Sequence, residues 1–337
     1  MRKRLLTGDR PTGRLHLGHY VGTIKNRVEL QDDYDCLIII ADLHMLTTKR
    51  SKQDIQNILV NAKEAVIDML SVGIDPGKVR FYLQSATADI LGGMYFLMNN
   101  LITVNRLKRV PSLKEMALAA NQEMTYGLLG YPVLQAVDIL AYKANVVPVG
   151  KDNYSHIEVT REIARKFNSE YGEVFPIPET VEGVEVNLVG IDGKQKMSKS
   201  LNNAIFLSDS DEELRAKVFK MPTDPRRIRA DIPGRVEGNT VFIYHDLFNS
   251  NKEQVEDLKQ RYRNGKVGDT EVKQLLFEAI KSFLEPIRAR RKEYENSRLV
   301  EEIIKSGTEY ARNEFKNTLK DVQNAIGYTK VWAGFGI

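Results

Sequence analysis

The sequence predicts an α/β protein in which a doubly wound parallel sheet is followed by an all-helical domain. Three observations carry this. Apolar runs at 37–41 and 79–83 read as strands, the first of them apolar throughout, as a parallel strand covered on both faces requires. Amphipathic helical stripes alternate with these runs, the pattern of right-handed crossovers between parallel strands. Beyond Leu201 no further strand pattern appears, while helical periodicity continues.

The chain has 337 residues, 42% hydrophobic and 28% charged. That length suggests two domains, and that balance suggests a soluble protein with a sizeable core. A formal net charge of +4 neither requires nor excludes a nucleic-acid partner. Cys36 is the only cysteine, so no internal disulfide can form and no cysteine cluster exists to hold zinc. Met1-Arg2-Lys3-Arg4 is basic, but only Leu5 and Leu6 follow before polar turn residues, which is no signal peptide. No apolar run reaches the length of a membrane span. A cytoplasmic location with no membrane contact is the expectation.

The first strand lies at Leu5-Leu6 and leads into Pro11-Thr12-Gly13-Arg14-Leu15-His16-Leu17-Gly18-His19. Leu17, Tyr20, Val21, Ile24 and Val28 then recur at helical spacing. Strand, glycine turn and helix N-terminus together make a ready phosphate seat, because the first helical N–H groups lack partners and the dipole is positive there. Gly13 and Gly18 permit close approach of a ligand to the backbone. His16 and His19 share one helix face and can donate to a phosphoryl oxygen as its charge grows.

The run at 37–41 ends in Asp42-Leu43-His44, at the strand edge where open α/β sheets bind ligands. Taken alone, His44 fits a core histidine somewhat better. Ile55, Leu59, Ala62, Val66 and Leu70 form the next helical stripe, stopped near Gly73, and a strand follows at 79–83. A helical insert occupies about 89–130 and carries Arg106, Lys108, Arg109 and Lys114. Asp138 then stands among Val137, Ile139, Leu140 and Ala141, where an acid is costly to bury without a partner. Gln135 shares its helix face. A strand at 146–150 leads into Lys151-Asp152-Asn153, and a helix starts near His156.

The segment 190–200 holds three lysines and two serines near paired glycines, the composition of a mobile loop that can close over a polyphosphate. In the second half, Ser210 and Glu213 form a capping box. Arg226, Arg227, Arg229 and Arg235 crowd the following loop. A helix over 270–296 contains Pro286, which predicts a kink or break, and a last helix runs from about 298 to 326.

The turn ending in His16-Leu17-Gly18-His19 resembles the HIGH signature of class I aminoacyl-tRNA synthetases. Lys196-Met197-Ser198-Lys199-Ser200 matches their KMSKS signature letter for letter. The length, and the stretch from Pro148-Val149-Gly150-Lys151-Asp152 to Phe167-Asn168, resemble bacterial tryptophanyl-tRNA synthetases, and that resemblance covers nearly the whole chain. It implies a Rossmann-type catalytic domain over 1–205, with the insert and a mobile signature loop. A helical anticodon-binding domain then spans 206–337, its last helix able to pack back on the first.

The resemblance further implies ATP with Mg2+, L-tryptophan, tRNA(Trp) and a homodimer. His16, His19, Lys196 and Lys199 would be catalytic, with no protein ligand for the metal. Arg10, Pro11, Thr12, Gly18, His19, Gly150, Lys151, Asp152, Leu188, Lys196, Met197, Ser198, Lys199 and Ser200 would bind ATP. Asp138 would accept the indole N–H, with Gln135, His44, Leu6, Val147 and Val149 around the amino acid. Two departures stand out. Many bacterial tryptophan enzymes have Thr and Asn where this chain has His16 and His19, and Met in place of Gln135. Tyr131, Gln135 and Asp138 together also resemble a pattern of tyrosyl-tRNA synthetases. That enzyme, and a non-catalytic paralogue that binds tryptophan or nucleotide as a regulator, are the alternatives.

Overall fold

The computed structural model describes residues 2–337 apart from 120, 122, 151–152 and 183–187. Among the described residues the strands are β1 (Arg4–Asp9), β2 (Asp35–Ile40), β3 (Val79–Leu83), β4 (Val146–Val149) and β5 (Glu179–Glu182). All pair in parallel, in the order β3-β2-β1-β4-β5. Register sets Asp9 beside Ile40 and Ile40 beside Leu83, so three strands end at one edge. The chain moves outward from β1 to β2 and β3, then returns to β4 on the other side. The crevice at the carboxyl ends of β1 and β4 is therefore a topological switch point. β5 has no counterpart in the sequence reading. Its Glu-Thr-Val-Glu is a polar strand at the sheet's rim, without the apolar run that marks β2.

The helices that matter below are α1 (17–30), α2 (Asp42–Met45), α3 (Ile58–Val72), α4 (Ala88–Met98), α5 (Pro111–Ala119), α6 (Tyr131–Ala141) and α7 (Tyr154–Tyr171). The second half adds α8 (Asp211–Lys220), α9 (Thr240–Phe248), α10 (Lys252–Arg263), α11 (Asp269–Glu295), α12 (Leu299–Ala325) and α13 (Tyr328–Gly334). Within α1 a π turn occupies Tyr20–Ile24, between α-helical Leu17–His19 and Lys25–Leu30. Among the described residues no helix is long and apolar enough to cross a membrane.

Alternate residues of β1 and β2 feed opposite faces of the sheet. Leu5, Ile38 and Ile40 join one core with Val66 and Leu70 of α3, which continues into Leu276, Ile280 and Leu284 of α11. Leu6, Leu37 and Ile39 join the other, with Val137 and Leu140 of α6, Ile163 of α7 and Phe315 of α12. Helices from the second half thus complete both cores of the first.

Two expectations change. Ala62, Val66 and Leu70 of the predicted stripe are buried, but Ile55 is 49% and Leu59 66% exposed. Asn57 closes the separate helix Lys52–Gln56, which resets the phase ahead of α3. The expected break at Pro286 is absent, and α11 runs through it. Leu284 and Ile287 on either side are buried, and α11 packs on α3, α8 and α9. Tertiary packing holds the turn that the missing N–H weakens. At α8 the predicted capping box forms: Ser210 Oγ accepts from the Glu213 amide at 3.2 Å, and Glu213 from the Ser210 amide at 2.8 Å.

Strand β3 ends the sheet, and α12 lies along it. The Leu83 amide donates to Thr308 Oγ1 at 3.1 Å, supplying an acceptor for this edge strand. Gly307 makes the approach possible, since a Cβ there would lie 2.1 Å from the Phe81 carbonyl oxygen. Gly307→Ala should therefore lower stability by about 2 kcal/mol, the scale of forced overpacking, in denaturant unfolding monitored by circular dichroism.

Candidate active site

The segment after β1 is held from several sides. Gly13 sits at φ +87°, a conformation that favours glycine. Leu17 N–H donates to Ile205 O at 2.9 Å and Leu207 N–H to Leu15 O at 3.0 Å, so residues 205–207 run beside the turn. His16 is buried and its ring centroid lies 3.7 Å from that of His19. The His16 amide donates to His19 Nδ1 at 3.2 Å, which leaves Nε2 as the protonated nitrogen of a neutral His19. Burial, joined by His19, Lys199 and Lys196, pushes His16 down to about 2. Burial also outweighs the attraction of Asp9 and takes His19 to about 4. Both imidazoles are uncharged donors at neutral pH. Beneath them Arg27 Nη1 donates to Asp9 Oδ2 at 2.5 Å and its Nε to Thr7 Oγ1 at 3.2 Å. Burial would raise the Asp9 carboxyl, but Arg27 outweighs it and keeps the acid ionised.

The lysine-rich loop is seated on this turn. The Met197 amide donates to Leu188 O at 2.9 Å, and the Ser198 amide to Asn203 Oδ1 at 2.7 Å. The Gly18 amide points at Met197 Sδ, 3.3 Å away, and the Met197 side chain is buried. Lys199 Nζ donates to Thr12 O at 2.9 Å, Gly13 O at 3.0 Å and Thr12 Oγ1 at 3.1 Å. Three oxygens thus use all three N–H bonds of the ammonium. Burial is the main reason that Lys199 is lowered to about 8. Lys196 is exposed.

A second cluster lies at the neighbouring strand ends, beneath α6. Asp138 is 2% exposed, and its Oδ2 faces His44 Nε2 at 2.8 Å. Gln84 Nε2 donates to both oxygens, at 3.0 and 2.8 Å. Gln84 Oε1 in turn accepts from the Leu43 and His44 amides at 3.1 and 3.3 Å, so one side chain ties α2 to Asp138. Burial raises the Asp138 carboxyl, and the bonds from His44 and Gln84 work against that rise. Tyr131 packs edge-on against His44 at 4.5 Å and against His156 at 5.5 Å. His156 Nδ1 meets Gln135 Oε1 at 2.8 Å, and its Nε2 meets Ser112 Oγ at 2.6 Å. The glutamine accepts through oxygen, so the Nδ1–H form of His156 fits both bonds.

The structure brings His16, His19, Thr12 and Lys199 into one site, with Met197 and Leu188 buried under the loop. Pro11 is buried, and Arg10 is exposed with Nη1 3.2 Å from Thr48 Oγ1. Ser198 and Ser200 hydroxyls lie 3.0 Å apart. Gly150 directly follows β4, and its carbonyl accepts the Asn153 amide at 3.0 Å. Lys151 and Asp152 lie outside the described residues. Leu6 and Val147 are buried in the core that holds Ala136 and Val137, and Val149 packs against it. Gln84, His156 and Ser112 have no place in the sequence-based site. Gln84 carried a usable signal, because it directly follows a strand just as His44 nearly does.

Comparison with known proteins agrees with this geometry. The family model described as tRNA synthetases class I (W and Y) matches residues 2–285. A Tryptophan--tRNA ligase of Borreliella burgdorferi is 55% identical over 99% of this chain and 96% of its own length. One from Treponema pallidum is 54% identical over 96% of each chain. Among solved structures, the tryptophanyl-tRNA synthetase of Campylobacter jejuni complexed with ADP and tryptophan superposes with a TM-score of 0.85. It is 33% identical, over 96% of this chain and 99% of that one. A two-cluster site at the carboxyl edge of a parallel sheet and a family match across most of the chain lead to one conclusion: this protein belongs to the class I tRNA synthetases of the tryptophan and tyrosine type.

Proposed function

We propose that this protein is a tryptophan--tRNA ligase that charges tRNA(Trp) in two steps. First a carboxylate oxygen of L-tryptophan attacks the α-phosphorus of ATP, the bond to the pyrophosphate oxygen breaks, and tryptophanyl-adenylate forms. Then a ribose hydroxyl of the terminal adenosine of tRNA attacks the acyl carbon, and AMP leaves. The observation that carries the reading is Lys199 held on the Thr12–Gly13 carbonyls beside two neutral histidines. Relatives at 53–55% identity over nearly full length bear the same activity in their names.

No protein nucleophile is needed, so positioning and charge stabilisation supply the acceleration. His16 and His19 donate to phosphoryl oxygens as negative charge develops. Lys199 exchanges its carbonyl oxygens for those of the departing pyrophosphate, and exposed Lys196 and Ser198 join it as the loop tightens. Among the described residues no group of three or more His, Cys, Asp or Glu is arranged to hold a metal ion. Mg2+ enters as part of the substrate, carried on the triphosphate oxygens. Arg10, Pro11, Gly150, Lys151, Asp152 and Leu188 are assigned to the nucleotide.

Asp138 accepts the indole N–H through its remaining acceptor capacity, within the frame of His44 and Gln84. Gln135, Leu6, Val147 and Val149 complete the amino-acid pocket. An analogue without that donor leaves a buried carboxylate short of a partner, a penalty that apolar contacts cannot imitate. The helices after residue 206 would receive the anticodon, and the reading places the enzyme in the cytoplasm. The insert exposes Phe96, Val104, Leu118, Met124 and Tyr126. Apolar exposure of that extent suits a self-complementary surface, and we assign the homodimer contact to it.

Amino-acid-dependent ATP–pyrophosphate exchange over all twenty amino acids should respond to tryptophan alone; a response to tyrosine, or to none, would overturn the assignment. Asp138→Ala should raise the tryptophan KM by about tenfold to a hundredfold, the cost of a lost buried partner, with the ATP KM unchanged. Lys199→Ala should slow exchange by about a hundredfold, with little change in the tryptophan KM. Because Lys199 loses its charge as pH rises through about 8, kcat/KM for ATP should fall on the basic side, and Lys199→Arg should carry that limb to higher pH. Charged substitution of Phe96 together with Leu118 should yield monomers in sedimentation analysis.

A further inference from the structure

One buried acid beside the nucleotide turn has no part in the chemistry above. Asp68 stands on α3 between Ile67 and Met69 and is 0% exposed. Its Oδ2 accepts the Leu15 amide at 2.5 Å, one residue before His16. Its Oδ1 accepts from Arg291 Nη1, and Arg291 belongs to α11 in the helical half. Arg291 is itself buried, with Nη2 on Glu64 Oε2 and Nε on Glu295 Oε1, each at 2.5 Å. The adjacent Arg290 donates from Nε to the Ser71 carbonyl at 2.6 Å, at the last turn of α3. Lys63 of α3 pairs with Glu301 of α12. The helical half therefore grips α3 along its length, and the innermost of these contacts continues into the turn.

Stability alone does not account for the Asp68–Arg291 pair, because a well-packed apolar pair in the same volume is commonly as stable or more so. What an apolar pair would lack is the charge-assisted bond to the Leu15 amide, which fixes that peptide more firmly than a neutral acceptor. Asp68 is also the foremost charge favouring the ammonium form of Lys199. One carboxylate thus acts on the backbone that presents His16 and on the lysine seated across from it.

We propose that Asp68 and Arg291 form a positioning pair through which the helical half sets the geometry of the nucleotide turn for adenylate formation. The pair touches no reacting atom. It holds the Arg14–Leu15 peptide, and with it the His16–His19 face and the Thr12–Gly13 carbonyls. The proposal rests on the reading of this turn as the ATP seat. It adds that the seat is completed from α11, so that a displacement of α11 is transmitted through Arg291 to the first chemical step.

The test uses the full-length enzyme in tryptophan-dependent ATP–pyrophosphate exchange, with the folded fraction fixed by thermal melting. Asp68→Asn keeps an oxygen for the Leu15 amide and removes the charge. Arg291→Gln removes the partner, and Arg291→Lys restores a cation. Asp68→Asn and Arg291→Gln should each lower kcat about tenfold or more, the scale of a small misplacement at a reacting centre, with the tryptophan KM unchanged. The double variant should be no slower than the slower single, because both act through one bond. Arg291→Lys should recover most of the rate. Unchanged kcat per folded enzyme, losses that multiply, or no recovery with lysine would overturn the proposal. If Arg291→Gln does not fold, Arg291→Lys compared with Asp68→Asn decides by the same kcat criterion. Wild-type enzyme inactive in exchange would refute the reading of the site instead.

Discussion

One half-buried ammonium group ties the catalytic half together. Lys199 joins residues nearly two hundred positions apart, and it does so by satisfying carbonyls that a tight turn leaves facing inward. A lysine withdrawn from water in this way needs oxygens around it, and the same loss of hydration is what lowers its proton affinity. The loop that delivers it is fixed in turn by Met197 under the Gly18 amide and by Asn203 on the Ser198 amide. Remove the ammonium, and the turn loses the partner of three oxygens and the loop loses one of its anchors.

Burial sets the neutrality of the histidine pair, and the same cation adds to it. Two imidazolium rings 3.7 Å apart, next to Lys199 and Lys196, would repel one another in a medium that screens poorly. Burial keeps both rings uncharged, so they contribute oriented N–H dipoles without adding to the positive field. That arrangement needs little rearrangement when negative charge appears beside it. Arg27, locked on Asp9 and Thr7, supplies a rigid floor below His19. The amino-acid side follows another logic. There a buried acid is framed by His44 and Gln84, and the frame also supplies an acceptor to the first amides of α2.

Much of this was legible from residue order, and the reasons are physical. Burial on both faces makes a strand such as β2 apolar throughout, so it announces itself. The nucleotide turn was visible because glycines, histidines and a following helix coincide, and the lysine loop because three cations crowd a few residues. Asp138 was visible as an acid in apolar surroundings. Asp68 carried the same signal inside an equally apolar stripe, yet its ionic partner lies on a helix more than two hundred residues later, which no local pattern reports. Gln84 and His156 escaped for a related reason, since each earns its role from contacts with a distant element. Strand β5 escaped because a rim strand need not be apolar. The phase slip at Asn57 shows the limit of periodicity, which assumes one unbroken helix.

The cover that α12 lays over β3 has a consequence for the birth of the molecule. Synthesis runs from the amino end, so the sheet's five strands emerge well before residues 299–325. Until that late segment leaves the ribosome, a row of unpaired main-chain groups along β3 stays open to other nascent chains. The late segment is therefore what closes this rim, and the half-made protein lacks that shield for the interval.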